Sequence, residues 1–184
     1  MLYITLLPKL KTMLSYIVWN YIGKADPPAA AIFWLYWRKE EPMDLFDRML
    51  ELSGQGYFCA QILMILALES EGKEDPDLIR AVGGLNGGLG FSGRTCGALT
   101  GGCCLLGYFL GKGEPEELED PDAQALTASL ADWFEDTFSQ QFGGCSCREI
   151  LEGDPGNKMR RCPEIVEAVY LKCGELLQEK GIPL

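Results

Sequence analysis

From residue 43 onward the apolar residues recur at helical spacing, and no stretch alternates as a strand would. Leu45, Phe46, Met49 and Leu52 form one stripe behind Asp44, which predicts a short capped helix over 45–52. Ser53-Gly54-Gln55-Gly56 ends it. A second helix is predicted from about Tyr57 to Glu69. Ile62, Leu63, Met64, Ile65, Leu66 and Leu68 make it apolar nearly all round, the pattern of a central buried helix. Glu71 to Asp75 reads as a polar turn, and Pro76 opens a third helix through about Val82.

The next stretch is rich in glycine: 12 of the 22 glycines fall within residues 83–113. Gly83 to Gly93 cannot be regular helix, because glycine is costly there and favours turns. Thr95 is predicted to cap a fourth helix, from Cys96 to about Leu110. Its face of Gly97, Ala98, Gly101 and Gly102 would let another backbone pack tightly around a site. An acidic loop, Gly111 to Pro121, precedes a long amphipathic helix capped by Asp122 and carrying Leu126, Leu130, Trp133, Phe134 and Phe138. Gly143-Gly144 breaks it near Phe142. A short helix follows from Cys147 to Leu151, and a last one from Cys162-Pro163 to about Lys180, with Ile165, Val166, Val169, Leu176 and Leu177 facing inward. The chain is therefore expected to be all-α, a compact helical bundle of about five to six helices with a glycine-rich loop.

Charge divides the chain. The net charge is -11, but residues 1–42 hold five of the 16 basic and three of the 27 acidic residues. All eight cysteines lie beyond residue 42. Such an acidic chain is a poor non-specific binder of nucleic acid or anionic membrane. Residues 1–42 could be read as a signal or anchor, with Lys9 and Lys11 before the apolar Thr12 to Ile22 and Ala29-Ala30-Ala31 as a cleavage site. That stretch is too short to span a bilayer, and Asn20 among bulky aromatics suits a signal peptide poorly. The reading preferred here makes residues 1–42 a non-native or disordered extension. Lys39-Glu40-Glu41 can be encoded by a bacterial ribosome-binding sequence, which would make Met43 the true start of a single cysteine-rich domain over 43–184.

The chemistry lies in sulfur. The chain has no histidine, so Cys–His pairs, Ser–His–Asp triads and c-type haem attachment are excluded. Cys59, Cys96, Cys147 and Cys162 each stand where a helix is expected to begin, where free N–H groups and the helix dipole favour a thiolate. If those starts converge, four thiolates surround one space, and a cation or disulfides must relieve their charge. Such a cage suits an iron–sulfur cluster or tetrahedral zinc. Gly97 beside Cys96 is expected to border any cofactor. Cys103, two turns after Cys96, is a candidate supporting thiol, and Cys145 a rival of Cys147. Arg94 and Arg148 flank key cysteines and could lower a thiol pKa or bind an anion. Cys104 and Cys173 read as buried apolar residues. The run Gly-Gly-Leu-Asn-Gly-Gly-Leu-Gly has no preceding strand and lacks the Gly-Lys-Ser/Thr ending of a phosphate loop. Adjacent Cys103-Cys104 and the close Cys145-Ser-Cys147 suit no easy local disulfide, which favours a reducing, cytoplasmic setting.

Four pieces in order resemble the C_GCAxxG_C_C family of redox-active proteins: Tyr57-Phe58-Cys59-Ala60-Gln61, Gly93-Arg94-Thr95-Cys96-Gly97-Ala98-Leu99-Thr100-Gly101, Cys147-Arg148-Glu149-Ile150-Leu151 and Cys162-Pro163. The resemblance spans about Leu45 to Leu177 and leaves residues 1–42 outside. It implies a small helical bacterial or archaeal protein with four characteristic cysteines. A similar domain in split-Soret cytochromes carries an iron–sulfur centre. Cys103, Cys104, Cys145 and Cys173 lie outside the family pattern.

The first expectation is thus an electron carrier rather than a stand-alone enzyme, with a 2Fe-2S or 4Fe-4S cluster on Cys59, Cys96, Cys147 and Cys162. Its acidic face would dock a redox partner with a basic face. A metal-free thiol–disulfide oxidoreductase, attacking through Cys96, and a structural zinc adaptor are the rivals. No nucleic acid and no membrane span are expected, and homodimerisation stays open.

Overall fold

The computed structural model describes residues 44–184, so the expectations for residues 1–42 and for Met43 as the start lie outside the described residues. Along these the fold is all-α. The helices are α1 (Leu45–Gly54), α2 (Cys59–Ser70), α3 (Pro76–Val82), α4 (Gly97–Leu110), α5 (Ala123–Phe142), α6 (Cys147–Ile150) and α7 (Lys158–Gln178). Single 3-10 turns, Gly83–Leu85 and Pro155–Asn157, precede the glycine-rich loop and α7. That is seven helices against the five to six expected, one of them a single turn.

Local chemistry explains most boundaries. Asp75 accepts from the N–H groups of Asp77 and Leu78, with Pro76 at the first position of α3. Asp44 and Asp122 stand at the starts of α1 and α5 but make no side-chain cap bond. Gly143 ends α5 with φ +76, a left-handed stop that glycine adopts without strain. Ser146 and Glu149 form a reciprocal capping box around α6.

Two boundaries differ from expectation. Thr95 does not cap α4. It pairs as an isolated antiparallel bridge with Ser146, and Cys96 takes the capping position. The last helix begins at Lys158, making Cys162 its fifth residue and leaving Pro163 inside it. Proline there removes the N–H that would bond the Met159 carbonyl.

α2 is buried along most of its length, as its composition predicts. The hub, however, is α4, which packs on α2, α5 and α7. Its glycines make this geometry. A Cβ on Gly101 would lie 2.7 Å from the Ala60 Cα of α2. One on Gly102 would lie 2.6 Å from Val169 of α7 and 3.0 Å from Leu130 of α5. Leu105, Leu106, Phe134 and Leu177 complete the core around this seam. The Phe138 ring lies tilted against Phe134, with centroids 4.7 Å apart.

Gly101→Ala and Gly102→Ala should each destabilise the protein by about 1–3 kcal/mol through forced separation of packed helices. Gly107, exposed with no atom near a Cβ position, should instead gain up to about 1 kcal/mol as alanine. Urea denaturation of the three variants checks the contrast; equal effects would remove the seam as a packing device.

Candidate functional site: four thiols around one apolar cavity

Three backbone devices assemble the site. First, the glycine-rich loop curls left-handed from Gly87 through Phe91, with φ between 60° and 74°. It closes on itself through Gly90 N–H to the Gly84 carbonyl and Phe91 N–H to the Asn86 carbonyl, both 2.9 Å. Leu89 and Phe91 hold this conformation although each carries a side chain, at a cost of about 1–2 kcal/mol per residue. Gly88 is indispensable there, because a Cβ would meet the Arg94 backbone at 2.6 Å and Cys147 Cβ at 2.9 Å.

Second, the buried Asn86 side chain pins this loop to α2. Its Oδ1 accepts from Ala60 N–H at 3.2 Å and its Nδ2 donates to Gln61 at 2.9 Å. Third, the strand-like piece before Cys96 pairs with the start of α6. Cys147 N–H donates to the Arg94 carbonyl at 2.7 Å, and Arg148 N–H to the Gly93 carbonyl at 3.0 Å.

The result brings Cys59, Cys96, Cys147 and Cys162 to the wall of one cavity of about 710 Å³. Gly97 lines it too. A Cβ there would fall 2.5 Å from Cys59 Sγ, so the glycine keeps space for the sulfur. Cys59 is the electrostatic centre, since ionising it pushes up the pKa of Cys96, Cys147 and Cys162. All eight cysteines are free thiols.

Helix starts do not yield acidic thiols here. Burial dominates at every one of the four. Cys96 is pushed up to about 12, first by burial, although the N–H groups of Ala98 and Leu99 pull it down. No regular side-chain cap bond forms there, so we read those N–H groups as acting through their field. Cys162 rises to about 11 by burial and by Cys59 and Cys147, with Lys158 opposing. Burial raises Cys59 against the N–H groups of Gly87 and Ala60 and the charge of Lys158. Cys147 is raised by burial and by Cys59. The cation acting on Cys59 and Cys162 is therefore Lys158. Arg148 lines the cavity but donates to the Ser92 carbonyl at 3.3 Å, and Arg94 contributes through its backbone.

The remaining thiols lie elsewhere. Cys103 neighbours Cys104 and Cys173 rather than the cavity, and Cys173 is fully buried in the core with its sulfur 3.7 Å from the Gly102 carbonyl. Cys145 Sγ rests 3.9 Å from the Glu135 carbonyl, so it does not rival Cys147 at the cavity. Among the described residues, no three His, Cys, Asp or Glu side chains stand at the spacing that holds a single metal ion. No helix among them is long and apolar enough to cross a membrane.

Sequence reasoning missed Asn86, Ser146, Lys158 and the aromatic pair Phe58–Phe91, whose ring centroids lie 4.9 Å apart. Only Ser146 carried a readable signal, the Ser-x-x-Glu capping pattern.

With this geometry in view, a family model described as "Putative redox-active protein (C_GCAxxG_C_C)" matches residues 57–176. The chain belongs to that family. No curated protein and no solved structure matches it.

The raised thiol pKa values carry a pH signature. A group whose folded pKa exceeds its unfolded one stabilises fully below the unfolded value and loses that contribution as pH climbs through the folded value. For Cys96 this window runs from the ordinary 9.0 to about 12. The reduced, metal-free protein should lose urea resistance between about pH 9 and about pH 12, and Cys96→Ala should flatten the slope. An unchanged slope in that variant would contradict the burial assigned to this thiol.

Proposed function

We propose that this chain is a one-electron redox protein whose Cys59, Cys96, Cys147 and Cys162 hold an iron–sulfur cluster. The observation that carries the reading is the meeting of four thiols, from four separate segments, in one apolar cavity bordered by no Asp or Glu among the described residues. Soft sulfur donors without histidine or carboxylate suit iron–sulfur chemistry. When bound, the cluster supplies one-electron oxidation and reduction.

The chain's own residues would divide the work. The four thiols bind as thiolates, and the cationic cluster core offsets the charge that the apolar wall disfavours. Gly97 leaves room beside Cys59, and Asn86 fixes the start of α2. Lys158 partly balances the remaining negative charge. The exposed acidic surface, including the loop before α5, would meet a redox partner with a basic face.

Two rivals are less well supported. A thiol–disulfide enzyme needs a thiolate near neutral pH, whereas burial raises all four of these pKa values. A single tetrahedral zinc draws four sulfurs to about 2.3 Å from one centre, and among the described residues no three candidate ligands stand grouped for a single ion. A cluster places its ligands on separate irons and tolerates wider separation.

Anaerobically purified protein should contain iron and acid-labile sulfide and absorb in the visible. Serine at Cys59, Cys96, Cys147 or Cys162 should remove most of the iron, while Cys145→Ser and Cys103→Ser should retain it. Protein without iron, sulfide or visible absorption would contradict the proposal. A reversible disulfide among the four would then favour the oxidoreductase, and stoichiometric zinc the adaptor.

A further inference from the structure

The cavity holds more than the thiols require. At about 710 Å³ it falls within the range of about 300–1,000 Å³ typical of organic-ligand sites. A cluster of a few iron and sulfur atoms fills only a fraction of such a volume. The remaining wall is built from Phe58, Tyr57, Phe91, Met49 and Ile62, a surface suited to a flat apolar body.

Charge restricts the occupant further. The chain carries 27 acidic residues, yet the charged residues on this wall, among those described, are Arg148 and Lys158. Lys158 sits with its Nζ 3.9 Å from the Phe58 ring centroid, at the boundary between aromatic surface and thiols. It is half-buried and without a carboxylate partner among the ion pairs of the described residues. Arg148 is exposed at the cavity edge.

The rim is also apolar. Of the six large hydrophobic side chains exposed among the described residues, Leu50, Phe91 and Met159 line this cavity, and Phe91 is 62 % exposed. Phe91 is held there by a left-handed backbone that a phenylalanine adopts only at a cost. Its ring stands edge-on to Phe58, and both rings line the cavity.

We propose that this cavity is a binding site for a flat aromatic organic anion, its ring system packed against Phe58 and Phe91 and its acidic group paired with Lys158 and Arg148. The proposal stands independently of whether the four thiols hold a cluster. Binding needs no electron transfer and no change in the thiols.

The probe is 1-anilinonaphthalene-8-sulfonate, a fused aromatic with one sulfonate, titrated by fluorescence into the full-length reduced protein with and without iron. Its neutral analogue N-phenyl-1-naphthylamine, which keeps the rings and lacks the charge, is the comparison. One saturable site per chain is expected. Lys158→Gln should weaken the sulfonate about fivefold to tenfold while leaving the neutral analogue unchanged. Phe91→Ala should weaken both probes. Circular dichroism melts of the two variants establish that they are folded, and Arg148→Gln serves as a second charge variant should either fold poorly. Absence of a saturable site, or equal losses for charged and neutral probes in both charge variants, would overturn the proposal. Iron content read on the same samples separates this outcome from the fate of the cluster.

Discussion

Everything in this fold depends on how closely α4 approaches its neighbours. Helix interiors disfavour glycine by about 1 kcal/mol each, and α4 carries Gly97, Gly101 and Gly102 along the side that meets other helices. The return is geometric. Gly101 lets α2 come into backbone contact, Gly102 admits Val169 and Leu130 from α7 and α5, and Gly97 leaves a space that Cys59 Sγ occupies. A seam that serves packing at one end thus serves chemistry at the other. With ordinary side chains at these three positions, α2 would stand away from α4 and Cys59 away from Cys96.

Burial and the helix-start field compete at the thiols, and burial wins. The N–H groups of Gly87, Ala60, Ala98 and Leu99 are aimed to favour negative sulfur. Alone they do not offset desolvation, so burial favours protonated thiols. In the cluster proposed above, the same N–H groups would help to hold the sulfurs as thiolates. Lys158 adds positive charge from the opposite side, over the Phe58 ring. Burial thus disfavours nucleophilic thiolate chemistry in this cavity.

Much of this was legible in the sequence. Apolar spacing gave the all-α class and nearly every helix, and helix-start placement singled out the four cysteines that share the cavity. The helix-start placement holds for three of the four. Cys59, Cys96 and Cys147 do sit at helix starts, whereas Cys162 lies one turn into α7. Pro163 suggested a beginning there, yet the helix starts a turn earlier, at Lys158, and carries the proline inside it. Asn86, Lys158 and Phe91 could not be read out, because their roles arise from contacts across 25 residues or more or from a left-handed backbone that no local pattern announces. The distinction between Arg148 and Lys158 as the cation acting on the sulfurs is likewise a tertiary fact. The family match over residues 57–176 covers all four thiols and is silent about what they hold.

The central claim is that these four sulfurs, and not the other four, face a common space. Dibromobimane, which fluoresces strongly on bridging two nearby thiols, tests it most directly. The reagent is applied to folded, reduced, metal-free protein in which Cys103, Cys104, Cys145 and Cys173 are replaced by alanine or serine. The account predicts intramolecular bridges in the native state, with Cys59 joined to the other three in peptide maps. Bridging that requires unfolding, or native protein labelled only at separate single thiols, would contradict it.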